Sequence, residues 1–198
     1  MNLTRTVAPA RLPVSLDEVK DHARIDYDDT AQDAALTGYI RAAVEWLDGK
    51  DGYLGRALIT QTWRLILDAF PTGECIEIPL PNLISVGSII YNVDSSPTIE
   101  TFAASNYIVD TGSIPGRIAL ADGSFWPQTN NDINAVTITF TSGFGAMQSD
   151  VPERLRLAIS MLAGHWYEYR IPVLAGATVT DVPFHIRALV DNYRMMSF

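Results

Sequence analysis

The side chains best suited to chemistry in this 198-residue chain are its three histidines, His22, His165 and His185. No two of them have the spacing of a metal-binding pair, and none lies beside a cysteine ligand. His165 is next to Trp166 on a predicted helix whose other side is apolar. We therefore expect His165 to be a hydrogen-bonded structural histidine, and the sequence predicts no metal site.

The serines and glycines form no recognisable catalytic motif. The nucleophile pattern Gly-x-Ser-x-Gly does not occur. The run from Thr141 to Gly145, TSGFG, looks like a glycine-rich loop. It lacks the lysine of a phosphate-binding loop and the third glycine of a dinucleotide fingerprint. A tight turn at the end of a strand is the better interpretation.

Carboxylate pairs could serve acid–base hydrolysis, but 23 acidic residues produce such pairs by chance. Asp17 with Glu18 and Glu74 with Glu77 are examples. Without a nucleophile and base together, the sequence predicts no catalytic residues and no cofactor. The turn Phe125-Trp126-Pro127 could bind a sugar or a protein partner, so a carbohydrate-binding or receptor-binding β domain stays open as the alternative function.

The composition limits the class of protein. A net charge of −9 with only two lysines argues against a surface that grips nucleic-acid phosphates. Cys75 is the only cysteine, so an intrachain disulfide is impossible. The first residues lack the apolar segment of a secretory signal, and no apolar run approaches the roughly 20 residues of a membrane span.

Helical signals occupy both ends of the chain. Ser15 and Glu18 have the spacing of a capping box for a short helix that ends near Ala23 or Arg24. An acidic loop with Asp26, Asp28 and Asp29 precedes a second helix over residues 30–48. The loop lacks the glycine and glutamate of a calcium-binding EF-hand, so we interpret its acids as helix-start chemistry.

From residue 59 the apolar period changes from helical to two, which is typical of strands. The sequence predicts strands at 60–67, 74–78, 85–92, 98–103, 107–110, 117–120 and 135–141, with Pro- and Gly-rich turns between them. In the last strand Val136, Ile138 and Phe140 alternate with threonines. The predicted fold is therefore α+β, a small helical bundle from both chain ends with an inserted antiparallel β subdomain.

The strongest helix signal follows that strand. Asp150 and Glu153 have capping-box spacing, and Pro152 suits a first helical turn. The helical stripe predicts a core face, whose main members are Leu155, Ile159, Leu162 and Trp166.

Both termini are candidates for contacts with other chains. Residues 1–14 contain Pro9 and Pro13 and predict an extended arm, in which Arg5 and Arg11 are candidates for a subunit interface. The last helix and tail are rich in residues common at interface cores: Arg187, Tyr193, Arg194, Met195, Met196 and Phe198. The tail either folds back on its own bundle or docks on a partner.

Three motifs carry a resemblance to a known family. They are VSLDEVKDHARID with a long helix ending EWLDGKDGYLGRALITQTW, then IPLPNLISVGSIIY, then a strand followed by T-x-G-x-G, VPERLRLAI and HWYEYR. In this order they resemble the head–tail connector (adaptor) proteins of tailed phages, over roughly residues 15–170.

The resemblance implies a non-enzymatic structural subunit in the neck of a virion assembled in a bacterial cytoplasm. It implies a ring, commonly of twelve copies, between a portal protein and a stopper or tail protein, with DNA passing through the lumen without specific binding. It implies no membrane among the partners of the protein. The predicted organisation is an arm at 1–14, helices at 15–58, an inserted β subdomain at 59–142, and helices with a tail at 143–198. On this reading the tail candidates Arg187, Tyr193, Arg194, Met195, Met196 and Phe198 bind the portal.

Overall fold

A computed structural model describes residues 1–93, 98–130, 133–169 and 183–195 of the chain. These residues form helices and antiparallel sheets, which confirms the predicted α+β class. They divide into two compact units: unit 1 contains residues 1–10 and 60–144, and unit 2 contains residues 11–59 and 145–198. The sequence analysis set residues 1–14 apart as an arm, whereas the structure gives residues 1–10 to unit 1.

Unit 1 is built on a five-stranded antiparallel sheet in the order β1-β2-β8-β4-β5. The strands are β1 (Asn2–Val7), β2 (Gln61–Leu67), β4 (Leu83–Asn92), β5 (Ile99–Thr101) and β8 (Val136–Ser142). β8 lies at the centre, with β2 on one side and β4 on the other. Val136, Ile138 and Phe140 are fully buried, so the alternation read from the sequence correctly identified the core face.

Strand β1 forms one edge of the five-stranded sheet. β1 pairs with β2 from Asn2 opposite Ile66 to Val7 opposite Thr62, with an irregularity after Arg5. Only Leu3 is buried in β1, so this strand carries almost no apolar pattern. The arm expected at residues 1–14 is therefore extended as predicted, but over Asn2–Val7 it is hydrogen-bonded to its own chain.

A second sheet in unit 1 contains three short strands in the order β3-β7-β6. Their bounds are Cys75–Glu77 for β3, Tyr107–Asp110 for β6 and Arg117–Leu120 for β7. The bounds of β6 and β7 match the prediction, and the two strands pair as the expected hairpin. Ile118 of β7 is fully buried, whereas Arg117 is exposed and forms an ion pair with Asp110 across the strands.

Unit 2 is helical, and one helix is central to it. The helices are α1 (Leu16–Ala23), α2 (Asp33–Leu47), α3 (Glu153–Glu168) and α4 (Phe184–Val190). α3 packs against α1, α2 and α4. Leu155, Ile159 and Leu162 are fully buried in α3, whereas Trp166 is only half-buried because it lies near the end of the helix.

The two predicted capping boxes have different outcomes. At α1 the Ser15 hydroxyl accepts from Glu18 N at 3.1 Å, and Ser15 N donates to the Glu18 carboxylate at 2.7 Å. At α3 the capping box is wrong. Asp150 instead accepts from Met147 N at 2.8 Å and closes a preceding turn, so the helix begins after Pro152 without a side-chain cap. Three-residue spacing suits either turn, and only the backbone conformation distinguishes them.

The acidic loop before α2 is arranged around a buried lysine. Lys20 Nζ donates to the carbonyl oxygens of Tyr27 and Asp29 at 3.2 and 2.9 Å, and forms an ion pair with Asp33. Asp29 also accepts from Ala31 N at 3.1 Å. α2 begins at Asp33, three residues later than predicted, because these turns occupy the loop. Within the described ranges, no helix is long and apolar enough to cross a membrane.

Candidate docking surfaces

The C-terminal segment begins with α4, which has two distinct faces. Ile186 and Val190 are buried against unit 2, four residues apart on one side of the helix. Phe184 is 85% exposed, and His185 and Ala188 are also exposed. Aromatic side chains are enriched at protein interfaces, so this outer face of α4 is a candidate for contact with another chain.

After α4 the chain returns to the loop that follows α2. Tyr53 is the centre of this contact: its ring stacks on Trp46 at 4.9 Å between centroids, and Arg194 lies 4.8 Å from the ring centre. The Tyr53 hydroxyl donates to Asp191 Oδ1 at 2.6 Å, and this bond to a carboxylate raises the pKa of Tyr53 above its ordinary value. Met195 N donates to the carbonyl oxygen of Leu54 at 2.8 Å.

Of the six predicted portal-binding residues, the structure describes four. Arg187 and Tyr193 are half-buried, Met195 is half-buried against its own unit, and Arg194 is exposed while contacting Tyr53. Up to Met195 the tail folds back on unit 2, which was the simpler of the two expectations. Met196 and Phe198 lie outside the described residues, as does the whole predicted loop at 171–182.

The two arginines proposed for a subunit interface have different surroundings. Arg5 lies on β1, where its Nη1 donates to Gln61 Oε1 at 3.3 Å and its guanidinium is 6.0 Å from the centre of the Trp63 ring. Arg11 is exposed in the segment before α1. Arg5 thus has partners in its own sheet, and Arg11 is the more available of the two for a neighbour.

The aromatic turn in unit 1 is used internally. The Trp126 ring stacks on Phe70, with centroids 5.0 Å apart and planes 9° apart, and its Nε1 donates to the carbonyl oxygen of Gly73 at 2.8 Å. Phe102 packs against Trp126 at 5.3 Å. A sugar-binding tryptophan needs a free ring face, so these contacts disfavour Trp126 as a sugar site. Its neighbour Phe125 is 83% exposed.

The glycine-rich run from Thr141 to Gly145 has a structural role. Gly143 N donates to the carbonyl oxygen of Asn82 at 3.1 Å, and a Cβ on Gly145 would collide with the Asp150 carboxylate, so TSGFG is the tight turn expected. Over residues 1–93, 98–130, 133–169 and 183–195, no three His, Cys, Asp or Glu side chains are placed to hold a metal ion.

The hydrogen bond expected for His165 is not found among the described residues. In the part of the chain that the structure describes, His165 makes no side-chain hydrogen bond; its ring lies 4.9 Å from that of Tyr169. Instead His165 lines a cavity of unit 2 together with His22 and His185. This convergence has no sequence signal, because the three residues lie on different helices and their spacing matches no local motif.

Comparison with known proteins gives one family match and several structural matches. Residues 13–84 match the model of the phage gp6-like head-tail connector protein family. No curated protein sequence matches. A chain in the neck of an empty gene transfer agent (GTA) particle, computed with C6 symmetry, is 29% identical with a TM-score of 0.78. The match covers 100% of this chain and 97% of that one.

Two further structures agree with the first. A chain in the virion of the native gene transfer agent particle is 28% identical with a TM-score of 0.77. A chain in the neck of the native particle, computed with C12 symmetry, is 28% identical with a TM-score of 0.74. Each match covers 100% of this chain and 97% of the other. Together these matches confirm the resemblance that the sequence motifs indicated.

Proposed function

We propose that this chain, which is similar to the phage gp6-like head–tail connector proteins, is a structural ring subunit in the neck of a phage or phage-derived particle. The observation that carries the proposal is the alignment of the whole chain with neck components of gene transfer agent particles. The subunit has no catalytic step of its own. It joins a portal protein to a stopper or tail protein.

A closed ring of twelve subunits is the proposed assembly. One of the matched necks was computed with C12 symmetry, which supports this number. Identical subunits that form a ring use two different surfaces, one on each side, and the rotation between copies closes the circle. Arg11 and the edge strand β1 with Arg5 are the proposed contributors to this interface.

The proposed ring is a conduit for DNA that does not bind it specifically. Each copy carries a net charge of −9, so twelve copies carry on the order of a hundred negative charges. Such a field repels phosphates, and DNA can slide past without forming the lysine and arginine contacts that hold it in place. The repulsion follows from the total charge of the ring, whichever residues line its lumen.

Portal docking is proposed for the outer face of α4 and the end of the tail. Phe184 is exposed there, and in the sequence Met196 and Phe198 follow the part of the tail that folds back. Arg194 and Met195 contact Tyr53 and Leu54, so their first role is to hold the tail on unit 2. Docking then depends on the apolar side chains around this anchor.

Electron microscopy of the purified protein mixed with its cognate portal protein tests the assembly. We expect closed rings seated on the portal, seen as twelvefold averages in end views. The isolated protein should show no saturable binding on a glycan array. Glycan binding together with an absence of rings would contradict the connector function and support the receptor-binding alternative. A catalytic turnover lost on changing one Ser, Asp or His would contradict the non-enzymatic assignment.

Paired variants separate docking from folding. Deleting Met196–Phe198 should weaken portal binding while leaving the melting temperature close to that of the parent, because the anchor at Met195 is retained. Arg194→Ala is the matched control, which should lower stability modestly through loss of the contact with Tyr53. If the deletion leaves portal binding unchanged, docking by the tail is wrong.

A further inference from the structure

The five-stranded sheet of unit 1 has a buried face and a face that stays open to solvent. In the central strand β8 the buried residues alternate with Thr137, Thr139 and Thr141, which are half-buried on the opposite face. Paired residues of neighbouring strands share a face, so the partners of these threonines in β2 lie beside them. In the same order those partners are Ile66, Arg64 and Thr62.

The flanking strands extend this surface on both sides. Ser85, Ser88 and Ile90 of β4 lie opposite the three threonines. At the other side Thr4 and Val7 of β1 pair with residues of β2 on the same face, and both are exposed. We call the surface formed by these residues of β1, β2, β4 and β8 the open face.

The open face contains no carboxylate. All 23 acidic residues of the chain lie outside β1, β2, β4 and β8. Arg64 is the one charged side chain on this face; it is exposed, and it makes no hydrogen bond or ion pair with the rest of the described residues. Because arginine stays protonated at any ordinary pH, the open face is a permanently positive, hydroxyl-rich region on a chain of net charge −9.

We propose that the open face is where a second copy of this chain packs in the ring, with Arg64 paired to a carboxylate of that copy. The inference rests on the proposed connector function and identifies one of its subunit interfaces. Copies with a charge of −9 repel one another, so they approach most easily where one side carries no acid. A guanidinium group also forms strong bidentate hydrogen bonds with a carboxylate.

The position of Arg64 favours a head-to-tail contact. Arg64 lies in the middle row of the open face, between Thr4 and Thr139. Two open faces packed together about an axis near this row would bring two arginines into opposition, and like charges at an interface repel. An acid-bearing surface of the next copy avoids this repulsion, and repeated head-to-tail contacts close a ring.

The size of the open face suits the centre of an interface. Four strands about 4.8 Å apart, with about six residues of 3.3 Å each, span roughly 15 by 20 Å. The resulting area of roughly 300 Å² is less than half of the roughly 800 Å² that each partner buries in a stable interface. The adjoining edge of β1 extends the contact beyond the face.

Other partners match the open face less well. Proteins that grip nucleic-acid phosphates use clusters of Lys and Arg, whereas each copy offers a single arginine here. A sugar site needs an exposed aromatic ring, and the aromatic residues of β2, β4 and β8 belong to the buried face: Trp63, Tyr91 and Phe140.

Opposite charges introduced at one position test the proposal. Ser85 is exposed on the open face, and the full-length protein can be titrated against a fixed amount of its cognate portal protein. Ser85→Glu should raise the protein concentration required for ring formation roughly tenfold, as counted by electron microscopy, because it adds a negative charge beside Arg64. Ser85→Lys, which has a side chain of similar length, should form rings at the concentration that the parent requires.

A second pair of variants tests Arg64 itself. Arg64→Glu should impair ring formation at least as much as Ser85→Glu. Arg154→Glu makes the same change of charge at an exposed position in the first turn of α3, where a glutamate is tolerated, and should form rings like the parent. All these side chains are exposed, so the melting temperatures should stay close to that of the parent.

The inference is overturned if Ser85→Glu and Arg64→Glu form rings as readily as the parent, or if Ser85→Lys is impaired as strongly as Ser85→Glu. It is also wrong if Arg64→Glu rings assemble normally but no longer retain a double-stranded DNA fragment that parent rings retain, since the open face would then contact DNA. In each of these cases the parent still forms rings and the connector function stands. A parent protein that forms no rings on the portal contradicts the connector function itself.

Discussion

Among single side chains, Asp110 has the most clearly perturbed acidity. Its carboxylate accepts from the Ser113 hydroxyl at 2.7 Å, from Arg117 Nε at 2.9 Å and from the backbone N–H groups of Gly112 and Ser113. These donors stabilise the charged form, with Ser113 contributing most, and lower the pKa of Asp110 from 3.8 to about 2.

A lowered pKa in the folded state predicts how the β6–β7 hairpin responds to acid. The stabilisation from Asp110 is complete above pH 3.8 and is lost as the pH falls through about 2. NMR titration of the carboxyl carbon should therefore give a midpoint near pH 2. Ser113→Ala should move this midpoint upward. A midpoint near 3.8 in the parent protein would show that the turn does not hold the carboxylate as described.

The chain's only two lysines provide a matched comparison. Lys20 is 2% exposed and satisfies two carbonyl oxygens of the acidic loop, whereas Lys50 is paired with the exposed Asp51. Lys20→Met should lower the free energy of unfolding by about 1–3 kcal/mol, because the two carbonyl oxygens and the Asp33 carboxylate lose their donor. Lys50→Met should change it by less than about 0.5 kcal/mol. Equal effects in urea denaturation would contradict the role of Lys20.

Among the helices, α3 carries the core of unit 2. Leu162 is fully buried and Leu157 is 40% exposed on the same helix. Leu162→Ala should destabilise the protein by about 2–5 kcal/mol, through lost burial and the cavity left behind. Leu157→Ala has the same change in helix propensity without the cavity, so its effect should be much smaller. Chemical denaturation measures both. Similar values for the two variants would show that the stripe is not a core face.

The edge strand β1 gives a different prediction from that of a free arm. Deleting residues 1–7 removes the hydrogen bonds to β2 and uncovers an edge of the sheet that contains Trp63 and Leu65. We expect lower stability and concentration-dependent aggregation, because an uncovered strand edge pairs with other chains. Melting curves and light scattering at several concentrations test this. A deletion variant as stable and monodisperse as the parent would show that β1 contributes little to the sheet.

The sequence best predicted those elements whose whole pattern lies within one short segment of the chain. Val136, Ile138 and Phe140 alternate over a whole strand, and Ser15 with Glu18 specifies a cap within four residues. Asp150 and Glu153 show where such signals fail, because the same spacing also permits the turn that the backbone adopts. β1 has one inward apolar residue, so its pairing depends on β2, which is more than fifty residues away.

The candidate surfaces were predictable only in part. Composition pointed to the tail, but the contact between Arg194 and Tyr53 joins residues that are distant in the sequence. The cavity of unit 2 lined by the three histidines was missed for the same reason, since the spacing of His22, His165 and His185 along the chain matches no motif. Tertiary packing creates such sites. The periodicity of a single sequence indicates its helices and strands but not which distant residues meet.

At the level of the entire protein, net charge predicts how assembly responds to salt. Identical subunits with a charge of −9 repel one another at low ionic strength. Raising the salt from about 0.01 to 0.15 M shortens the Debye length from about 30 to 8 Å. The protein concentration required for ring formation should therefore fall, as measured by sedimentation or light scattering. An increase would show that ion pairs between subunits outweigh the repulsion.

The path of the chain also determines when each unit can be completed during synthesis. Unit 2 begins at residue 11 but requires α3 and α4, which the ribosome makes only after all of unit 1. The contact of Glu18 with Arg156 and that of Tyr53 with Asp191 each span 138 residues. Long-range closure of this kind slows folding, because loop entropy is lost before the contacts form. The apolar faces of α1 and α2 consequently remain exposed to solvent while the ribosome synthesises unit 1. Exposed apolar surface of this kind is what chaperones bind on a nascent chain.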